Sequence, residues 1–107
     1  MSDVVVFAGT TEGCEICSFL AKNKVSVFAC VATDYGSKSL KEGEYLKLHA
    51  GRLNGAEMEN LLKELSPGLV LDATHPYAAE VTENIRTACK NTGLSYERVL
   101  REKGAYQ

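Results

Sequence analysis

The chain has 107 residues, of which 45% are hydrophobic and 24% are charged, and its formal net charge is −2. This length and composition are typical of a single globular domain, and without a basic cluster the surface lacks what binds nucleic-acid phosphates. The longest apolar stretch, residues 25–32, is too short to cross a bilayer. Met1-Ser2-Asp3 lacks the positive start of a signal peptide, so we expect a cytoplasmic protein that engages neither membrane nor nucleic acid.

A strand, a glycine-containing loop and a helix open the chain. Residues 3–8 (DVVVFA) are mostly β-branched or aromatic, which is typical of a strand buried on both faces of a sheet. The loop GTTEG follows at residues 9–13. Ile16, Phe19 and Leu20 then recur at helical spacing, which predicts a helix with these side chains on its apolar face.

Two further strands follow the first helix. Residues 25–32 (VSVFACVA) are again an apolar run and predict a second buried strand. A polar connection at residues 33–39 leads to residues 44–50 (EYLKLHA), where apolar and polar residues alternate as in a half-exposed strand. GRLNG at residues 51–55 predicts a turn.

The second half of the chain predicts two helices and two strands. Ser66-Pro67-Gly68 ends a helix whose apolar stripe consists of Met58, Leu61, Leu62 and Leu65. LVLDATHPYA at residues 69–78 joins a buried strand to a helix, which we expect to begin at Pro76 and to stop at residues 91–93. Residues 95–100 (SYERVL) form a last strand of mixed polarity.

The order of these elements predicts an α/β fold: a Rossmann-like, doubly wound parallel sheet of five strands with helices on both faces. Strands one, two and four are continuous apolar runs and belong in the centre, whereas strands three and five carry polar residues and belong at the edges. The strand order 3-2-1-4-5 satisfies both conditions, with or without a short helix in residues 35–43. Ligands of such sheets bind where the crossover direction reverses, which lies here between GTTEG and DATHP.

GTTEG stands where a phosphate-binding loop would stand, after a buried strand and before a helix. Only Gly9 and Gly13 remain of the G-x-G-x-x-G dinucleotide pattern. Gly9 permits a tight turn, Thr10 or Thr11 can cap the helix, and the free N–H groups there favour a phosphate. A plain strand–turn–helix junction with a threonine cap explains the same residues equally well.

Residues after the second and third strands are candidates for holding a nucleotide. Asp34 lies about twenty residues beyond the glycine loop, where an acid usually binds the ribose hydroxyl of NAD. Ser37 and Lys38 can instead hold the 2′-phosphate of NADP. Gly51 allows the close approach of an adenosine, and Arg52 can stack on a base or bind phosphate. A solvated surface turn is the alternative for each of them.

The end of the fourth strand, DATHPY, carries the most reactive side chains of the sequence. Pro76 keeps His75 out of the helical region, so Thr74 and His75 project at the carboxyl end of the strand. His75 can donate a hydrogen bond to a ligand or act as an acid, although a lone histidine is more often a cap. Tyr77 can line a pocket or pack in the core, and Asp72 is expected to order the turn by accepting backbone N–H groups.

The four cysteines are expected to be free thiols in a reducing compartment. Cys14 and Cys17 form a C-x-x-C pair, which is compatible with thiol redox chemistry. No second pair and no neighbouring histidine accompanies them, so we expect no metal site. Two small apolar side chains on a helix are the simpler interpretation.

Several of these segments together resemble the precorrin-6A reductases, which include the cobalt-precorrin-6A reductases. The resemblance rests on VVVFAGTTEG, on GR after the third strand and above all on VLDATHPYAAEVTENIRTAC. It implies a two-domain enzyme of cobalamin biosynthesis in which NADPH reduces a double bond of the precorrin macrocycle by hydride transfer. Residues 1–107 would then be the N-terminal, nucleotide-binding domain, and a C-terminal domain would be missing.

The resemblance also implies site residues. It places Gly9, Thr10, Thr11, Gly51, Arg52, Thr74 and His75 along the cleft. Gly13, Thr33 and Lys38 complete the predicted site for NADPH. NADH is the alternative cofactor if Asp34 binds a ribose hydroxyl. The tetrapyrrole substrate would lie against His75, Pro76 and Tyr77, and no residue is assigned as catalytic. One departure concerns Arg101, which is followed by Glu102-Lys103-Gly104 where many members have proline and an aromatic residue.

Two other functions use the same residues differently. A non-catalytic nucleotide- or dinucleotide-binding module would share the glycine loop and the crevice but would bind no macrocycle. A thiol redox protein would depend on Cys14 and Cys17, so replacing both with alanine would abolish its activity.

Overall fold

The computed structural model describes residues 3–9, 11–31, 40, 42–75 and 78–99. The described elements follow one another as β1 (Val4–Ala8), α1 (Thr11–Lys22), β2 (Val27–Val31), β3 (Leu46–Ala50), α2 (Gly55–Leu65), β4 (Leu69–Ala73), α3 (Ala79–Thr92) and β5 (Tyr96–Arg98). The five strands form one parallel sheet in the order β3-β2-β1-β4-β5. The predicted fold class, strand order and edge strands are therefore confirmed, while most of the segment 35–43 lies outside the described residues.

The sheet separates two apolar cores. On one face α1 lies over strand residues such as Val6 and Ala29 and buries Cys17 against them. On the other face α2 and α3 lie side by side over Val5 and Val70. Because β1 is covered on both faces, none of its five residues is more than 9% exposed, which accounts for its unbroken apolar sequence. Within the described part of the chain, no helix has the length and apolar character needed to cross a bilayer.

The helix ends follow from capping side chains and left-handed residues. α2 begins with a capping box, in which the Asn54 side chain accepts the N–H of Glu57 and the Glu57 carboxylate accepts the N–H of Asn54, both at 2.8 Å. Ser66 (φ 44°) and Gly93 (φ 73°) take the left-handed conformation at the C-caps of α2 and α3. The predicted stops of both helices are thus confirmed.

Two details predicted for the helices are wrong. Phe19 is 64% exposed rather than on the apolar face of α1, because the small residues Gly13 and Cys17, four positions apart, form the buried stripe. Helix α3 begins at Ala79, with Ala78 as its N-cap, and not at the proline that precedes them. Pro76 itself lies outside the described residues.

Gly13 sets the distance between α1 and the sheet. A Cβ atom at this position would lie 3.0 Å from the Cβ atom of Ala73 and 3.0 Å from the Cα atom of Ala8. Contacts this short would force the helix or the strands to shift, since the interior is already closely packed. The second glycine of the GTTEG loop therefore allows close helix–strand packing.

We expect Gly13→Val to lower the free energy of unfolding by about 1–3 kcal/mol, because the added methyl groups overpack the contact of α1 with β1 and β4. Urea unfolding followed by circular dichroism measures the loss. Gly43→Val is the matched control, since a Cβ atom there meets nothing within 4 Å. Equal unfolding midpoints for the two variants would contradict the close packing at Gly13.

The cysteines serve as small apolar core residues. All four are free thiols, with Cys17, Cys30 and Cys89 buried and Cys14 half-buried. Burial raises the pKa of both Cys17 and Cys30 to about 12. Burial and the charge of Glu15 also raise the pKa of Cys14. Raised pKa values keep these thiols protonated at neutral pH and remove the thiolate that redox chemistry needs, so the C-x-x-C pair fits packing better than catalysis.

Alkaline pH should destabilise the fold through the buried thiols. The pKa of the folded Cys17 thiol lies above its ordinary value of 9.0, so the unfolded chain loses this proton first. The contribution of this thiol to the free energy of unfolding is fully present below pH 9 and is lost as the pH rises towards 12. The loss amounts to at most about 1.4 kcal/mol per pH unit for each thiol. Urea unfolding below and above pH 9 measures the fall. Cys17→Ala should make this pH dependence shallower, and an unchanged slope would contradict the assignment.

Candidate functional site

A cavity of about 630 Å³ opens at the carboxyl ends of β1 and β4. It lies between the edge of the sheet and the first turns of α2 and α3, where the crossover direction reverses. This volume is in the range of sites that hold small molecules and cofactors. The lining residues are Phe7, Ala8, Gly9, Cys30, Val31, Gly51, Arg52, Leu53, Asn54, Glu57, Met58, Thr74, His75, Ala78, Glu80, Val81 and Asn84.

Five of the residues that the sequence predicts for the site line this cavity together: Gly9, Gly51, Arg52, Thr74 and His75. They follow β1, β3 and β4, which are distant in the sequence but end at the same edge of the parallel sheet. The sheet thus brings together the ends of three separate segments at one opening.

Of the other predicted site residues, only Gly13 and the main chain of Thr11 lie in the described part of the chain. Gly13 packs against Ala8 and Ala73. Thr11 begins α1, and only its main chain is described. The remaining residues named from the sequence lie outside the described part of the chain: Thr10, Thr33, Asp34, Ser37, Lys38, Pro76 and Tyr77.

Two glycines shape the rim of the cavity. The N–H of Gly9 donates to the carbonyl of Ala73 at 3.2 Å, and a Cβ atom at Gly9 would lie 3.2 Å from the Cα atom of Thr74. The loops after β1 and β4 are therefore almost in contact. Gly51 has a φ of 131°, which residues with a side chain rarely adopt, and its N–H donates to the carbonyl of Val31 at 2.8 Å.

The cavity combines an apolar wall with polar groups at its mouth. Phe7 and Met58 are buried in the wall, while Arg52 and His75 are exposed. Ala78 makes no side-chain cap at the start of α3, and the leading N–H groups of such a helix carry partial positive charge. The lining therefore offers an apolar wall for the body of a ligand and a cationic side chain, Arg52, beside two carboxylates, Glu57 and Glu80.

Part of the cavity wall is formed by residues that were not predicted for the site. It consists of Leu53, Asn54, Glu57 and Met58 at the start of α2, and of Glu80, Val81 and Asn84 on α3. The N-x-x-E pattern of residues 54–57 is a capping-box signal that could have located the start of α2. The contribution of α3 has no such local signal, because it depends on the packing of α3 against α2.

Asp72 is fully buried at the end of β4, and both its carboxylate oxygens are hydrogen bonded. The main-chain N–H and the hydroxyl of Thr74 donate to Oδ1 at 3.1 Å and 2.7 Å. From β5, the Tyr96 hydroxyl donates to Oδ2 at 2.8 Å, and Arg98 Nη1 donates to Oδ1 and to the Asp72 carbonyl, both at 3.0 Å. The predicted bonding of Asp72 to the turn is confirmed, whereas its partners on β5 were not predicted.

These hydrogen bonds keep Asp72 ionised. Burial opposes ionisation, but the bonds from Thr74 and Tyr96 outweigh it and hold the pKa of Asp72 below its ordinary value. Burial and the bond to this carboxylate raise the pKa of Tyr96, so its hydroxyl remains a donor. Asp72 therefore serves as a buried structural anion at neutral pH rather than as an acid.

Comparisons with known proteins agree with this fold. Residues 3–106 match the family model described as precorrin-6x reductase CbiJ/CobK. The cobalt-precorrin-6A reductases of Methanothermobacter thermautotrophicus and Salmonella typhimurium are each 35% identical over 99 residues. Each match covers 92% of this chain, but only 33% and 37% of those two proteins, respectively.

A solved structure described as CobK precorrin-6A reductase has the same fold. It superposes with a TM-score of 0.78 at 27% sequence identity, over 94% of this chain and 39% of that one. The chain thus spans well under half the length of the relatives it matches. Since the family model covers almost the whole sequence and the strand order agrees, the chain belongs to the precorrin-6x reductase family.

Proposed function

We propose that this chain is the NADPH-binding portion of a precorrin-6A or cobalt-precorrin-6A reductase of cobalamin biosynthesis. Membership of the family supports the activity. The observation that carries the proposal is the cavity between the ends of β1 and β4, which is lined by residues at or just after the ends of four strands, β1 to β4. Because the relatives are longer, we infer that a second domain supplies the remainder of the macrocycle site in this cytoplasmic enzyme.

The residues at the cavity fit a nicotinamide dinucleotide. Gly9 and Gly51 line the opening with main-chain atoms alone, so no side chain of theirs competes with a ligand. The exposed guanidinium of Arg52 can pair with a phosphate in two hydrogen bonds. Phe7 and Met58 offer an apolar surface for a planar ring.

The contribution of this chain to the reaction is positioning. When bound, NADPH would supply the hydride that reduces a carbon–carbon double bond of the macrocycle. His75, at the carboxyl end of β4, can donate a hydrogen bond to the cofactor or the macrocycle. With both reactants bound, the apolar wall would limit the access of water to the reacting groups, and holding the two reactants in a fixed relative position would remove much of the entropic part of the barrier.

Calorimetric titration with NADPH tests the proposal directly. We expect Arg52→Gln to weaken binding by about tenfold or more, because a charged hydrogen bond to phosphate contributes about 1.5–3 kcal/mol. Lys63→Gln is the matched control, since Lys63 is exposed on α2 and pairs with Glu59 at 3.5 Å. Absence of NADPH binding, or equal effects of the two substitutions, would contradict the proposed cofactor site.

The choice between NADPH and NADH can be tested with the two residues that the sequence nominates after β2. Asp34→Ala should weaken NADH more than NADPH if the carboxylate holds a ribose hydroxyl. Lys38→Ala should weaken NADPH more than NADH, because only NADPH carries the 2′-phosphate. Parallel titrations of each variant with both nucleotides give the ratio, and an unchanged ratio for both variants would remove these residues from the site.

A further inference from the structure

The hydroxyl of Thr74 is hydrogen bonded to three side chains of the protein. A threonine hydroxyl has one donor and two acceptor positions. Its O–H donates to Asp72 Oδ1 at 2.7 Å, it accepts from Arg98 Nη1 at 3.2 Å, and its oxygen lies 3.2 Å from Thr82 Oγ1. Thr74 lines the cavity, yet its hydroxyl is bonded in all three directions within the protein.

The same network fixes the main chain at the mouth of the cavity. The Thr74 N–H donates to the buried Asp72 carboxylate, and on its other side the Thr74 Cα atom lies against Gly9. The next residue, His75, accepts the N–H of Ala78 at 2.9 Å, so the start of α3 follows from the placement of Thr74. A displacement of Thr74 would therefore move both His75 and the first turn of α3.

We propose that Asp72 and Arg98 are positioning residues, which hold Thr74 so that His75 and the N-terminus of α3 border the cavity in the geometry that binds the cofactor. Neither residue lines the cavity, and Thr74 acts through its placement and not as a ligand. Tyr96 differs from Arg98, since it bonds to the opposite carboxylate oxygen and does not contact Thr74 in the network. The inference rests on the proposed function, because NADPH affinity is one of its two measurements.

The first measurement needs no ligand. The NMR amide signals of His75 and Ala78, recorded on the ligand-free 107-residue chain, report the position of the turn that contains these residues. We expect Thr74→Val and Arg98→Met to shift both signals, and Tyr96→Phe to lower stability while leaving them in place. Thr82→Val removes the contact of Thr82 with the Thr74 hydroxyl and its bond to Asp72, but leaves Arg98 in place. It should shift both signals less, which keeps the test available if Arg98→Met does not fold. Unshifted signals in Thr74→Val and Thr82→Val would overturn the proposal.

The second measurement is NADPH affinity. Thr74→Val and Arg98→Met should each weaken binding by about fivefold or more, with Tyr96→Phe within about twofold of the unmodified chain. Thr74 and Arg98 act through one network, so the variant that carries both substitutions should bind NADPH about as weakly as the weaker-binding of the two single variants. Additive effects, or an equal loss in Tyr96→Phe, would overturn the positioning role. Absence of binding by the unmodified chain would refute the proposed function, and the amide signals would then decide the positioning role alone.

Discussion

The connections on the two sides of β1 run over opposite faces of the sheet, and this constraint creates the site. α1 covers the face beside Val6, whereas α2 and α3 cover the face beside Val5. No helix can cover the point where the two directions part, so the ends of β1 and β4 remain open at the carboxyl edge. The loops after these strands lie next to each other there because their strands are neighbours in the sheet.

Close packing of α1 against the ends of β1 and β4 also determines the shape of this opening. Gly13 lets the helix touch Ala8 and Ala73, the last residues of β1 and β4. This contact involves the residue before Gly9 and also Ala73, whose carbonyl accepts the N–H of Gly9. A residue that does not line the cavity therefore determines how closely its two rim loops approach, and the small side chain of Cys17 continues this contact along the helix.

Much of the fold could be predicted from the sequence because it depends on local polarity. The unbroken apolar runs identify β1, β2 and β4 as central strands, and the glycine at residue 93 marks a helix end. The apolar face of α1 was misassigned, since an aromatic residue counts as core by hydrophobicity whereas the packing distance selects glycine and cysteine.

Only those parts of the site that lie within one short segment of sequence, at the end of a strand, could be predicted. The strand ends carry Gly9, Gly51 and His75, and their meeting follows from the strand order. The partners that Asp72 has outside its own turn could not be predicted in this way. They lie on β5, 24 and 26 residues further along the chain, and they meet the carboxylate only because the parallel register places Arg98 beside Asp72.

The buried carboxylate also has a consequence for the order of folding. β5 has only three residues, Tyr96–Arg98, and would contribute little apolar burial by itself. Until it docks, Asp72 lacks the bonds from Tyr96 and Arg98, and a buried charge without its partner is costly by about 3–5 kcal/mol. Partly folded states that bury Asp72 without β5 are therefore disfavoured, so burial of this carboxylate is coupled to the docking of a three-residue strand.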